Sequence, residues 1–373
     1  MIIGIPKEIK EGENRIAHTP NNVEGFTSKG HKVLVETNAG LKSGFSDDDY
    51  KKAGAEIINN ASEVFKKAEM ITKVKEILPV EFDFIQEQQI IFTYIHSAIR
   101  REETDVLLNK KVVGIAYEDV MAKDGSFPLL IPMSQAAGMV GMLIGVYHLF
   151  STNGGNGILM GGMPGVESAK VVILGAGHLG INAAKYALGL GADVTILDVS
   201  VERLREIKYK IFPDIKTLYS SQTNIKKLLP ETDLLVNCVK WYPGLTLVTK
   251  DMLKLMKKNS LIVDIDCEPN GTIETCRFST FDDPVYVVDG IRHLCVSNLP
   301  SAISRTSSTA LSNATFPYAL EIANKGWLKA VKENEALRNG LDFTKGHLTF
   351  KHNAEVQKRK YTPVEEAIKL FDK

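Results

Sequence analysis

Short apolar runs alternate with longer amphipathic stretches along most of the chain. In the first third the runs are IIGIP (2–6), KVLVET (32–37), MITKV (70–74), QIIFTYI (89–95) and VVGIAYE (112–118), separated by polar stretches such as REETDVLLNKK (101–111). Continuous apolar runs of this length suit strands covered on both faces, and helical spacing between them predicts a mostly parallel sheet with helices on its faces. The alternation restarts at Lys170 with KVVILGAG, HLGINAAKYALGLG, ADVTILD, VERLREIKYKI, DLLVNCV, DMLKLM, SLIVDID and VYVVDGI.

Between the two series lie a long apolar helical stretch (134–150) and a Gly-rich loop (153–165), and a second long helical stretch (308–335) follows the last strand. The predicted fold class is α/β: two doubly wound Rossmann-like domains with an interdomain cleft, joined by two long helices. The expected divisions are 1–127 for the first part of a substrate domain, 128–307 for a dinucleotide-binding domain with its connecting helix, and 308–373 for a helical part returning to the first domain. The uncharged stretch 129–150 is long enough to span a bilayer, but Pro132, Ser134, Gln135, His148 and four small residues favour a buried helix at a domain junction.

The 373 residues carry 45 basic and 45 acidic side chains, so a nucleic-acid binder relying on a general basic field is not expected. Cys238, Cys267, Cys276 and Cys295 form no C-x-x-C pair of the zinc type, so no metal is expected and they read as reduced, mostly buried thiols. The N-terminus turns charged after six residues, unlike an export signal, and a cytoplasmic location without membrane attachment is expected.

The most specific motif is Gly175-Ala176-Gly177-His178-Leu179-Gly180, a G-x-G-x-x-G between an apolar strand and a helix. The first glycine permits a tight turn, the second a close approach of backbone to pyrophosphate, and the third close helix–strand packing. The next strand ends in Asp198, a carboxylate that can accept from the ribose hydroxyls of NAD and would repel the 2′-phosphate of NADP. NAD is therefore the expected cofactor.

Substrate chemistry is sought at strand ends in the first domain. Arg15 lies in the polar loop after the first strand, Lys73 and Lys75 end the third run, and His96 ends the fourth. Arg15 can hold a carboxylate through paired hydrogen bonds, and His96 titrates near neutrality. Each also has a plain structural reading: Arg15 as an ion pair, Lys75 as an edge lysine, His96 as a half-buried histidine.

The chain resembles the alanine dehydrogenases, relatives of the NAD domain of nicotinamide nucleotide transhydrogenase, over nearly its whole length. The resemblance is carried by IGIPKEIKEGENRIAHTP (3–20), GLKSGFSDDDYKKAGAEI (40–57), KVKE (73–76), FTYIH (92–96), PLLIPMSQAAG (128–138), the segment 161–198 with the glycine motif, GTIET (271–275) and DDPVYVVDGIRHLCVSNLPSAISRTSS (282–308). It implies reversible NAD-linked oxidative deamination of L-alanine to pyruvate and ammonium, usually by a homo-hexamer. By the same resemblance Arg15 binds the substrate carboxylate, Lys75 polarises the carbonyl, and His96 is the acid/base. Ser134, Gly175 to Gly180, Asp198, Ser220, Val239 and Asn298 fall on positions that contact the dinucleotide.

Three departures bear on specificity. In the segment Val263-Asp264-Ile265-Asp266-Cys267-Glu268, Glu268 takes the place of the family's active-site aspartate, with Asp266 a nearby alternative. Lys240-Trp241-Tyr242-Pro243-Gly244-Leu245 stands where the family usually has L-I-P-G-A-K-A-P, a loop that borders the nicotinamide pocket there. Met139 and Gln135 stand where an arginine and an acid are common. The departures keep two alternatives open: a dehydrogenase of the same fold acting on another amino acid or joining an amine to a 2-keto acid, and an NAD-binding regulatory module without turnover.

Overall fold

The computed structural model describes residues 1–371. In chain order the strands are β1 (Ile2–Ile5), β2 (Lys32–Glu36), β3 (Glu56–Ile58), β4 (Met70–Thr72), β5 (Ile90–Thr93) and β6 (Val113–Ala116), followed by the long helix Ile131–Tyr147. Then come β7 (Lys170–Leu174), β8 (Asp193–Asp198), β9 (Lys216–Tyr219), β10 (Leu234–Asn237), β11 (Leu261–Asp264), β12 (Val285–Val288) and β13 (Ile291–Leu294). After helix Ser304–Lys325 the chain adds β14 (Leu341–Thr344) and β15 (His347–Leu348). The fold is α/β with two mostly parallel sheets.

Two compact units result: Met1–Met133 with the chain from Ile303 onward, and Ser134–Ala302. The first holds a sheet of order β15-β14-β6-β5-β4-β1-β2-β3, in which β1 to β6 are parallel and only β14 and β15 run antiparallel to their neighbours. The second holds β12-β13-β11-β10-β7-β8-β9, parallel except for β12. In each sheet the first six parallel strands follow the doubly wound order 3-2-1-4-5-6. The central strands are buried along their whole length, as both-face burial requires: β5, β6, β10, β11 and β13 have no exposed residue.

Three details differ from the expected pattern. VYVVDGI is a hairpin rather than one strand: Asp289 and Gly290 both have positive φ (51° and 82°), the backbone of a tight primed turn that reverses β12 onto β13. The C-terminal part, expected as helical, also supplies β14 and β15. The helical stretch at 308–335 is broken at Gly326, whose φ of 75° ends helix Ser304–Lys325 before a separate helix Trp327–Glu333 begins. Among the described residues no helix is long and apolar enough to cross a membrane, and the apolar connecting helix is Ile131–Tyr147.

Candidate active site

In the first unit the strand order reverses between β1 and β4. Connections leaving the two strands diverge there, which opens a crevice at their C-terminal ends. Arg15 lies in the loop after β1, Lys75 three residues past β4, His96 three past β5, and Glu118 two past β6. The sheet topology thus collects four chemically useful residues from distant points in the sequence along one edge.

Arg15 is 3% exposed and Glu13 fully buried. Glu13 takes the guanidinium with both oxygens, Oε1 from Nε at 2.7 Å and Oε2 from Nη2 at 2.6 Å, and Oε1 also accepts the Arg15 backbone N–H at 2.9 Å. Nη1 points to the Met133 sulfur at 2.9 Å. The loop itself is held from helix Ser304–Lys325, whose Ser308 accepts the Ile16 N–H at 3.0 Å. Burial alone would raise the Glu13 pKa, but the hydrogen bonds and charge of Arg15, with Lys75 adding, bring it down to about 2.

The Lys75 ammonium stands 4.0 Å from Glu13 Oε2. Burial and the like charge of Arg15, opposed by Glu13, leave its pKa at about 8. Its backbone is fixed on two sides: Glu8 accepts the Lys75 N–H at 3.2 Å, and Thr93 Oγ1 donates to the Lys75 carbonyl at 2.8 Å. Lys73, the other lysine at that strand end, is 1% exposed and donates to both oxygens of Glu81 at 2.6 Å, so it is an internal ion pair.

His96 adopts a left-handed backbone (φ 53°, ψ 38°), a conformation that costs a non-glycine residue about 1 kcal/mol and recurs at functional sites. Its N–H donates to Glu118 Oε1, which also lies 3.5 Å from Nδ1, and its ring stacks on Tyr94 at 5.9 Å with planes 4° apart. The side chain remains 42% exposed. Burial of its inner side lowers the imidazole pKa, as do Lys75 and Arg100, while Glu118 opposes the shift. The downward shift favours the neutral imidazole, the form that can accept a proton, and Nδ1 is the ring nitrogen that faces Glu118.

The second unit repeats the reversal between β7 and β10. Gly175 has φ +94°, and a Cβ there would lie 2.9 Å from the Cys238 carbonyl; one on Gly180 would lie 1.9 Å from the Gly175 carbonyl. A Cβ on Gly177 would meet nothing within 4 Å, so the backbone at the start of helix His178–Gly189 borders open space, and no side chain caps that end. Ala176, His178 and Leu179 complete the turn. Uncapped N–H groups beside a glycine cradle fit a dinucleotide pyrophosphate.

Asp198, at the end of β8, accepts the Ala176 N–H and the Ser200 N–H, each at 2.8 Å, and its carbonyl accepts the Ser220 N–H at 2.9 Å. Val239 stands on the other flank, with Cγ2 3.0 Å from where a Gly175 Cβ would be. Ser134 precedes Gly138 by one helical turn, and Gly138 packs so closely on the glycine-loop helix that a Cβ would sit 2.2 Å from the Leu179 carbonyl. Asn298, with φ 60°, accepts the Ser301 N–H at 2.9 Å at the start of the turn 299–303.

The two acids after β11 differ in setting. Asp266 is half-buried; burial raises its pKa, while Lys240 and the Trp241 backbone lower it. Glu268 is exposed, and Trp241 packs against its loop, 3.1 Å from where a Cβ on Gly271 would be.

Two family models match the chain: the alanine dehydrogenase/PNT N-terminal domain over residues 4–137 and the corresponding C-terminal domain over residues 141–351. The chain belongs to the alanine dehydrogenase/PNT family. Its relatives in this family include the alanine dehydrogenase of Methanococcus maripaludis, 49% identical over 99% of this chain and 100% of that one. Another is the alanine dehydrogenase of Staphylococcus haemolyticus, 48% identical over the same shares. The fold is similar to a solved L-alanine dehydrogenase, with a TM-score of 0.92 at 40% identity over 96% of this chain and 99% of that one. A transhydrogenase from Sinorhizobium meliloti shares the fold, with a TM-score of 0.80 at 22% identity over 94% and 99% of the two chains.

Sequence reasoning missed Glu13, Glu118 and Tyr94. Glu118 follows its strand as His96 follows β5, so the strand-end rule applied once more would have found it. Tyr94 reads as one more apolar position in QIIFTYI, while its hydroxyl donates to the Leu129 carbonyl at 2.6 Å. Glu13 sits in an aperiodic polar loop, and nothing in the spacing marks it as the partner of Arg15.

Proposed function

We propose that this chain is an NAD-dependent alanine dehydrogenase, catalysing the reversible oxidative deamination of L-alanine to pyruvate and ammonium. The observation that carries the reading is the Arg15–Glu13–Lys75 cluster beside His96, in a chain 49% identical over its length to an alanine dehydrogenase. Arg15 binds the substrate carboxylate, and Glu13 holds the guanidinium plane so that the bond forms in one orientation. Lys75 hydrogen-bonds the oxygen on the substrate's central carbon and offsets negative charge as it develops there.

When bound, the nicotinamide ring supplies the hydride acceptor for the Cα hydrogen of alanine. The glycine loop binds its pyrophosphate and Asp198 its ribose, with Ser134, Ser220, Val239 and Asn298 lining the same cofactor. Removal of that hydrogen leaves an imine on the substrate. His96 Nε2 takes a proton from the attacking water, Lys75 steadies the resulting hydroxyl, and His96 returns the proton to the amine nitrogen; the C–N bond then breaks as the hydroxyl proton passes to His96 and the carbonyl forms. Glu268 is assigned the carboxylate role near the reacting carbon, with Asp266 the alternative.

The preference for NAD over NADP rests on Asp198, whose negative charge would face a 2′-phosphate. Arg203, the nearby cation, is engaged by the Ala176 carbonyl at 2.9 Å and by Glu206. Assembly as a homo-hexamer and a cytoplasmic location belong to the same proposal; particle mass in solution tests the first.

A second reading, a dehydrogenase of this family acting on a different amino acid, is favoured by the Lys240-Trp241 loop packed against the segment that carries Asp266 and Glu268. The test of the catalytic assignment is His96→Ala. The expected result is a fall in kcat of about 10²–10⁴ with NADH affinity nearly unchanged; retention of most turnover would remove His96 from the mechanism.

A further inference from the structure

Three of the four cysteines meet in the second unit although the sequence separates them. Cys267 follows β11, Cys295 directly follows β13, and these are neighbouring parallel strands, so the two thiols are delivered to one sheet edge. Cys276 arrives from the intervening loop, 3% exposed, with its thiol against those of Cys267 and Cys295. Spacings of eight and eighteen residues match no zinc motif; strand adjacency assembles the group instead.

The fourth member is Asp264, the last residue of β11, only 1% exposed. Its Oδ1 accepts from Asn237 Nδ2 at 2.7 Å, while the buried Oδ2 has no hydrogen-bond partner. A carboxylate oxygen shut away from water is destabilising, and a proton, the neighbouring Cys276 thiol or a cation can relieve it. The Asp264 carboxylate oxygen, Cys267 Sγ and Cys295 Sγ all lie within 4.8 Å of one another. A tetrahedral ion at the usual zinc–sulfur distance needs ligand sulfurs about 3.8 Å apart, so the shell has to contract by about 1 Å or less.

We propose that Asp264, Cys267 and Cys295, with Cys276 beside them, form a binding site for a soft divalent cation of the zinc class. Thiolates select such an ion over magnesium or calcium, and the ion would complete its shell with the neighbouring Cys276 thiol or a water. Binding consumes no oxidant: the cation forms bonds to the Cys267 and Cys295 sulfurs and to one Asp264 oxygen, and each thiol that coordinates passes its proton to solvent. Tyr286 Oη, 3.3 Å from Cys295 Sγ, is placed to donate to that sulfur as an outer partner. Because Cys267 lies between Asp266 and Glu268, occupation would also fix the loop carrying those acids.

The test is a Co²⁺ titration of the full chain, stripped with a chelator and kept reduced with a phosphine. One equivalent should give thiolate-to-cobalt charge transfer in the near ultraviolet together with the intense visible bands of tetrahedral cobalt, and Zn²⁺ should displace it. Cys295→Ser and Asp264→Asn should each weaken binding at least tenfold, with lower charge-transfer intensity in the first. Should the variants fail to fold, the wild-type chain still decides: one equivalent of Zn²⁺, but not Mg²⁺, should slow alkylation of Cys267 at least tenfold by peptide mass spectrometry. Absence of charge transfer, bands indifferent to Cys295→Ser, or Cys267 alkylation unaffected by Zn²⁺ would each overturn the proposal. None of these readouts depends on turnover of alanine.

Discussion

Glu13, fully buried, holds the nearly buried Arg15 through two parallel side-chain hydrogen bonds, 2.7 and 2.6 Å long. A guanidinium buried so deeply needs a permanent counter-charge, and one already fixed in plane meets an arriving carboxylate without a search through rotamers. Glu13→Gln keeps the shape and removes the charge. Breaking a buried pair in this way costs about 3–5 kcal/mol, so a marked loss of stability in urea titration is expected, together with a raised KM for pyruvate. Unchanged stability and KM would mean the pair neither supports the fold nor orients the substrate.

Lys75 sets a pH limit on the keto-acid side. Burial and Arg15 bring its pKa down to about 8, so the ammonium is charged below that pH and neutral above it. Only the charged form can both donate to the pyruvate oxygen and offset its developing charge. With ammonium kept saturating, the KM for pyruvate should therefore rise as pH passes about 8. Lys75→Arg, whose guanidinium does not titrate in this range, should lose that limb whatever its absolute rate. The same limb in Lys75→Arg would assign it to another group.

These two residues show unequally well in the sequence. Lys75 was found because a strand of apolar residues ends just before it, and the parallel sheet brings such ends to one edge. Glu13 was invisible because its importance comes from a contact inside an irregular loop, which no period encodes. The same contrast runs through the fold. The central strands and the glycine turn were legible from buried apolar runs and fixed spacing, whereas β3 (Glu56–Ile58) and β9 (Lys216–Tyr219) are short edge strands of mixed polarity and left no run to see. β14 was missed because Asp342 interrupts the apolar residues of LDFT, which takes its place through pairing with distant β6.

Asp198 has two duties that substitution can separate. It holds the Ala176 N–H at 2.8 Å, ordering the glycine turn, and it carries the charge expected to repel a 2′-phosphate. Asp198→Ala removes both and should shift preference toward NADP by about 10–100-fold, on the order of 1.4–3 kcal/mol, while weakening NAD binding. Asp198→Asn keeps an acceptor for Ala176 and should show most of the shift with less loss of NAD affinity. Kd values for both cofactors by fluorescence titration are the check, and an unchanged ratio in both variants would show that Asp198 does not read the ribose.

Whether Arg15, Lys75 and His96 act on alanine is read from NADH formation by the purified chain against a panel of L-amino acids. Alanine should give the highest kcat/KM, by more than tenfold over every other member. A methylene of misfit is worth only about 1–3 kcal/mol, so close homologues of alanine are the informative competitors. A chain that binds NAD yet leaves alanine untouched while turning over a larger or polar amino acid would contradict the assignment, and would place specificity in the Lys240-Trp241-Tyr242 loop instead.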